Sequence, residues 1–293
     1  MKKIIRKGLD WTQKLGLDEL MIQVSKIQFL RKTAYQYGWQ HESFSRCRVR
    51  AAYLQRQIAE SQVGFRFEGK DVLEIGAGTS IGIGYFLYNE GYRSWTASDH
   101  GRQPNFQLEQ RLAKEAEKEC GHEVVEQIGL LGKDVSSPGK LNFLDVDITE
   151  YDSKLSDKFD FIFSIAVLEH IPREKMGVTL RNMASYIRNG GVMLHAIDLK
   201  DHVNPLNPFG FYKYEEEAWV NLTHGSIFHT NRLRPKDYHL LFEECGIKVI
   251  HVKREKEGVL PKRMCESFRE RYSEEDLRTG EVIFAAVKAG QIQ

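Results

Sequence analysis

Cysteine is scarce in this sequence and widely scattered. Cys47, Cys120, Cys245 and Cys265 make no CxxC pair and no Cys/His group at metal-ligand spacing. That excludes a disulfide scaffold or a zinc ribbon, and it predicts reduced thiols, a cytoplasmic setting and no metal cofactor. Long apolar runs are missing as well, so no transmembrane helix of about 18 or more residues is expected. The start, Met1-Lys2-Lys3-Ile4-Ile5-Arg6-Lys7, is basic. Asp10, Lys14, Asp18 and Glu19 break the apolar stretch behind it, which argues against a signal peptide. No sign of charge dominates: 42 Lys and Arg face 41 Asp and Glu, a net charge of +1. A nucleic-acid partner usually demands a basic excess, so none is expected. Internal repeats and low-complexity tracts are also absent.

What is present suits a well-buried core. Of 293 residues, 41% are hydrophobic and 28% charged, enough for one large α/β domain with additions or two small ones. Leu17, Leu20, Met21, Val24, Ile27 and Leu30 recur at helical spacing and predict an amphipathic helix over about 9–32. Its other face is basic, which allows contact with an anionic membrane surface. A second helix is expected over about 43–60. Together these make residues 1–65 an N-terminal helical cap, with the main domain over 66–293.

From Asp71 the pattern becomes short apolar strands alternating with helices. Strands are expected at 72–75, 94–98, 141–144, 159–164, 192–197, 247–252 and 281–287. Helices are expected from the glycine-rich turn to about Asn89, over 106–120, along the Met176, Leu180, Met183, Ile187 face up to Gly190-Gly191, and over 235–245. The alternation predicts an α/β fold with a mainly parallel sheet covered on both faces. Residues 199–233, with Pro205, Pro208 and many aromatic, His and Asn residues, break the rhythm and read as a substrate lid. Only the acidic stretch around Glu215 to Glu217 suggests a helix there.

The chemistry sits in Asp71-Val72-Leu73-Glu74-Ile75-Gly76-Ala77-Gly78-Thr79-Ser80-Ile81-Gly82. A buried strand runs into a turn whose glycines let a ligand lie on bare backbone, at the N-terminus of the next helix. Asp99 ends the following strand, where an acid accepts both hydroxyls of an adenosine ribose. The dinucleotide fingerprint G-x-G-x-x-G places its third glycine at 81. Here residue 81 is Ile, the glycine stands at 82, and Glu74 precedes the turn. The spacing departs from the nicotinamide pattern, and a ligand without pyrophosphate needs no tight phosphate cradle.

Glu74-Ile75-Gly76-Ala77-Gly78 resembles the first motif of the class I S-adenosylmethionine (SAM)-dependent methyltransferases. Further segments resemble the same family in order: Ser98-Asp99, Asp147-Ile148, Phe159 to Ser164, Val167-Leu168-Glu169-His170-Ile171-Pro172, and Arg188-Asn189-Gly190-Gly191. The resemblance implies a Rossmann-like seven-stranded sheet with an antiparallel last strand and SAM as the cofactor. It implies a cofactor site of Glu74, Gly76, Ala77, Gly78, Ser80, Asp99 and His100. It adds Asp147 and Ile148 against the adenine, with Ser164 and Ile165 at the end of the fourth strand. Asp145, two residues before Asp147 on the same strand face, is the rival in register. Asn231-Arg232-Leu233-Arg234-Pro235 resembles bacterial members that act in surface-sugar or small-molecule pathways.

A hydroxyl acceptor needs a base, and histidine is the usual one. His170, Asp198 and His202 are the candidates, with His224 and His229 also beyond strand ends; His195 reads as a core histidine. Asn207-Pro208-Phe209 is similar to the Asn-Pro motif of DNA amino-methyltransferases but stands in the wrong place, and reads as a turn. The function expected is methyl transfer to a small acceptor, a hydroxyl of a sugar or other metabolite, free or lipid-linked. A nicotinamide-dependent oxidoreductase and a non-catalytic SAM-binding regulator are the alternatives. Near-neutral charge argues against nucleic acid as the acceptor.

Overall fold

The computed structural model of the chain describes residues 44–101, 104–121, 128–131, 140–203, 207–226, 228–256 and 259–289. The helix expected over 9–32, and with it the membrane contact, lies outside them. Among the described residues no helix is long and apolar enough to cross a membrane.

The elements run α1 (Phe44–Glu60), β1 (Asp71–Ile75), α2 (Gly82–Phe86), β2 (Ser94–Asp99), α3 (Phe106–Cys120), β3 (Ile128–Leu131), β4 (Leu141–Asp145), β5 (Phe159–Ile165), α4 (Arg173–Tyr186), β6 (Ile187–Asp198), α5 (Glu216–Thr223), α6 (Pro235–Glu244), β7 (Ile247–Lys256), α7 (Glu266–Arg271), α8 (Glu274–Arg278) and β8 (Thr279–Lys288). One sheet takes the order β3-β4-β2-β1-β5-β6-β8-β7. The first six strands are parallel, and β8 lies antiparallel between β6 and β7. The seven expected strands are all there, in a Rossmann-like arrangement with the last strand antiparallel. An eighth, β3, adds to the edge beside β4. Its Ile-Gly-Leu-Leu run is too short and unalternating to stand out in the sequence.

β1 lies at the centre, and all five of its residues are buried, as a parallel strand covered on both faces requires. Successive side chains point to opposite faces. Val72, Trp95, Phe161 and Phe163 pack beneath α1, α2 and α3. Leu73, Ile75, Ile162 and Met193 pack beneath α4 and α6. The described part of the expected cap, α1, is continuous with the first core: Cys47, Ala51, Leu54 and Ile58 are buried there. Gly82 makes this close approach possible, because a Cβ on it would overlap the Cys47 thiol.

Two boundaries differ from expectation. α2 stops at Phe86, and a 3-10 turn over Tyr88–Glu90 leads to Gly91 in the left-handed region. α4 ends at Tyr186, not at Gly190-Gly191, because Ile187 already pairs with Phe159 across a register shift and begins β6.

The segment expected as a lid carries a third apolar cluster. Phe209, Phe211, Tyr212, Trp219 and Phe228 pack against Phe268, Tyr272 and Leu277 of the C-terminal helices. Arg234, fully buried, bonds the carbonyls of Leu199 (2.9 Å) and Asp276 (2.8 Å). Arg232 bonds those of Phe211 (3.2 Å) and Tyr214 (2.6 Å). The Asn231-to-Pro235 stretch therefore ties this segment to the sheet and to α8. Asn207 and Pro208 sit in a turn, and Pro208 O accepts from Asp201 N–H at 2.7 Å.

Candidate active site

The chain goes one way from β1 to β2 and the other way from β5 to β6, so strand order reverses between β1 and β5. Open α/β sheets bind ligands at such a reversal, beyond the carboxyl ends of the strands. A cleft of about 830 Å³ opens there.

Its floor is the glycine turn. Gly76 has φ +70° and Gly78 φ +78°, backbone that L side chains rarely adopt. A Cβ on Gly76 would also overlap the Val167 side chain. Gly78 N–H donates to Asp99 Oδ2 at 2.7 Å, which fixes the Asp99 carboxylate at the cleft wall. From the far side, the fully buried Glu109 of α3 accepts the Ile81 N–H at 3.1 Å and the Tyr85 hydroxyl. Glu109 was not among the sequence candidates. One acid on a charged helix carries no sign of which face it buries.

The structure brings Gly76, Gly78, Asp99, His100, Asp147, Ile148, His170 and His202 to one cleft. Asp147, not its rival Asp145, lines it; Asp145 accepts Gly101 N–H at 2.8 Å instead. Burial would raise the Asp147 carboxyl, but the Thr149 N–H and hydroxyl hold it below its ordinary range, helped by His100 and Lys175.

Other candidates stand behind the wall. Glu74 is 4% exposed on the opposite face of β1, where its carboxylate accepts the Trp95 indole N–H at 3.0 Å. Ala77 is buried and donates its N–H to Ser98 O at 3.0 Å. Ser80 Oγ accepts Gly82 N–H at 3.0 Å. Ser164 Oγ pairs with His195 Nδ1 at 2.8 Å, and Ile165 packs on the first core. His195 is the core histidine expected: it lies on Phe242, and burial pushes it down to about 3.

At the other end of the cleft Ala166 takes φ +55°. This turn lays Val167 on Gly76 and carries Glu169 and His170 inward. His170 lines the cleft and is 40% exposed. Protein surrounds it, and this enclosure, with His202 beside it, lowers it to about 4. Its Nδ1 lies 3.0 Å from His229 O, and its ring centroid 5.0 Å from that of His202. Asp198 lies outside the cleft lining, with Oδ2 3.7 Å from His202 Nε2. Burial would raise its carboxyl, but His202 and Lys200 hold it down. Glu169, missed as a site residue although its motif was noted, is 1% exposed. Burial pushes its carboxyl well above the usual range. The backbone N–H groups of Glu169 and Asp198 lie nearby, yet neither oxygen has a hydrogen-bond partner.

The model of the methyltransferase-domain family matches residues 40–252. The chain belongs to this family. As a class I methyltransferase it is similar to solved structures at low identity. One is the Burkholderia thailandensis 1,6-didemethyltoxoflavin-N1-methyltransferase with bound 1,6-didemethyltoxoflavin and S-adenosylhomocysteine. It is 14% identical, with 92% of this chain and 88% of that chain covered and a TM-score of 0.47. Another is a SAM-dependent methyltransferase from Methanosarcina mazei, 14% identical, covering 80% and 97%, with a TM-score of 0.48. No curated protein matches this methyltransferase significantly.

Proposed function

We propose that this methyltransferase moves the methyl group of SAM to a small acceptor, a hydroxyl of a sugar or other metabolite, lipid-linked or free. What supports the reading is that a single cleft joins the glycine turn and Asp99 to the His170–His202 pair. The near end fits the donor: bare backbone at Gly76 and Gly78, the Asp99 carboxylate for ribose hydroxyls, Asp147 for an exocyclic amine and Ile148 for an apolar ring. SAM supplies a methyl carbon bonded to a sulfonium sulfur. The chain aligns the acceptor oxygen with that carbon, keeps water out, and manages the hydroxyl proton.

His170 and His202 take the last role, with Asp198 behind His202. A carbonyl only accepts, so His229 O fixes the proton of His170 on Nδ1 and leaves Nε2 as an acceptor facing inward. Glu216, His224 and His229, from the stretch expected as a lid, lie on the cleft wall at the acceptor end.

Thermal melting with SAM against NADH tests the donor; stabilisation by NADH alone overturns the reading. Methyl-labelled SAM incubated with an extract of the source organism tests the acceptor. A small labelled product supports it, and label on protein or nucleic acid removes it. SAM binding with no label transferred supports a regulator instead.

A further inference from the structure

Three ligand-type atoms converge at the acceptor end of the cleft. A carboxylate oxygen of Glu169 and one ring nitrogen each of His170 and His202 all lie within 4.8 Å of one another. Glu169 is 1% exposed, and both its oxygens lack a hydrogen-bond donor, as does His202 Nε2. A carboxylate buried without a partner is costly, so it stays protonated unless a compensating positive group is brought beside it.

The surroundings suit a cation. His170 Nδ1 is held by the His229 carbonyl at 3.0 Å, which turns the Nε2 lone pair toward Glu169 Oε1, 3.9 Å away. An imidazole whose far nitrogen donates to a backbone carbonyl is the usual support of a metal-ligating histidine. His229 is itself braced by Thr223 Oγ1 at 2.7 Å from its Nδ1. A second carboxylate, Asp198, stands 3.7 Å from His202 Nε2. The sequence shows no metal spacing, because His202 arrives from beyond β6 and meets Glu169-His170 only in the folded chain.

We propose that Glu169, His170 and His202 bind one divalent first-row transition ion, with Asp198 beside it and the remaining coordination positions open to the cleft. Two imidazole nitrogens and one carboxylate oxygen suit such an ion. Metal–ligand lengths of about 2.0–2.2 Å bring neighbouring donor atoms to about 3 Å, so the cluster contracts by about 1–2 Å on binding. Rotation of the His202 side chain, which lines the cleft, accommodates this.

The inference deepens the acceptor reading above and rests on it for its chemistry. An acceptor hydroxyl on an open position becomes more acidic. With both imidazole nitrogens on the ion, the proton leaves to solvent through the cleft, the oxygen forms the new bond to the methyl carbon, and the carbon–sulfur bond breaks with its electron pair leaving on the thioether sulfur. The acceptor class is then one that presents an oxygen donor to a metal.

The test uses the full chain, stripped with EDTA and titrated with Co²⁺ alone, read by its visible absorption, and with Mn²⁺ alone, read by electron paramagnetic resonance. One equivalent of Co²⁺ is expected. Affinity falls at least tenfold in His202→Ala and Glu169→Gln and is unchanged in His239→Ala, a surface control. Should Glu169→Gln fail to fold, His202→Ala still decides. No stoichiometric binding of either ion, or binding that survives both substitutions together, overturns the proposal. Labelled methyl transfer by the stripped protein separates the two readings. Transfer without Co²⁺ binding removes the ion alone, and Co²⁺ binding with no labelled product from extract removes the acceptor reading alone.

Discussion

Asn231 holds the Glu169 loop by backbone and side chain together. Its N–H donates to Glu169 O at 2.8 Å, and its side-chain amide donates to the carbonyls of Leu168 (2.8 Å) and Ile171 (2.9 Å). Its Oδ1 in turn accepts from Leu233 N–H at 2.9 Å and the Tyr238 hydroxyl at 3.2 Å. One side chain thus ties the acceptor-end loop to the entry of α6. Asn231→Ala keeps the backbone bond but removes the four side-chain bonds inside a buried site, and costs about 4 kcal/mol at roughly 1 kcal/mol per bond. Urea denaturation measures this. The turnover of the folded fraction should fall while its SAM affinity holds, and weakened SAM binding with normal turnover contradicts the assignment.

Gly76→Ala places a Cβ against Val167 on backbone with φ +70°. SAM affinity is expected to fall at least about tenfold by calorimetry. Adding Val167→Ala relieves the overlap but not the backbone strain, so affinity returns only in part. Full recovery would show that the backbone conformation is irrelevant.

Asp99→Ala removes a carboxylate fixed by Gly78 N–H. Charged hydrogen bonds contribute about 1.5–3 kcal/mol each, so the dissociation constant for SAM rises about 10- to 100-fold. Asp147→Ala weakens it less, and Asp145→Ala least, because Asp145 points to Gly101 rather than into the cleft. A larger effect at Asp145 than at Asp147 reverses the register argued above.

Glu74→Gln leaves SAM affinity unchanged, since the side chain lies under Trp95 on the other face of β1. Glu74→Ala lowers the melting temperature, because the buried indole N–H loses its acceptor, again without weakening SAM. Calorimetry and melting on the same two variants check this.

Stability should fall as pH drops below 6.5. Burial pushes His195 down to about 3 and holds His170 near 4. Both groups bind protons more readily in the unfolded chain, whose histidines titrate near 6.5. The unfolded state therefore gains as pH falls from 6.5 toward the folded values, below which the effect levels off. For His195 the loss is at most about 5 kcal/mol. Glu169, raised by burial, acts in the opposite sense and loses stability as pH rises above the ordinary carboxyl range. His195→Gln should flatten the acid limb of a pH series of urea melts, and an unchanged limb counts against a neutral buried His195.

The strands were readable because each is a short apolar run between turn residues. Val72 to Ile75, Phe159 to Ser164 and Val192 to Ile197 carry their burial in their composition. β3 was not readable, since Ile128 to Leu131 matters only as an edge that β4 can pair. At the site, Gly76, Gly78 and Asp99 were legible because backbone conformation and strand position are local properties. The Glu74 side chain faces away from the cleft, and strand composition cannot say which face is which when both are buried.

By itself the sequence determined the α/β alternation, the donor-side turn and the family, because these depend on neighbouring residues and spacings of a few positions. Only the tertiary structure decided what Glu169, His170, His202, His229 and Asn231 are to one another. They come from the turn after β5, the stretch just beyond β6 and the segment before α6, and the packing of 207–226 and 228–233 brings them together. A carboxylate left without a donor between two histidines is a property of that packing, and no single stretch of the chain contains it.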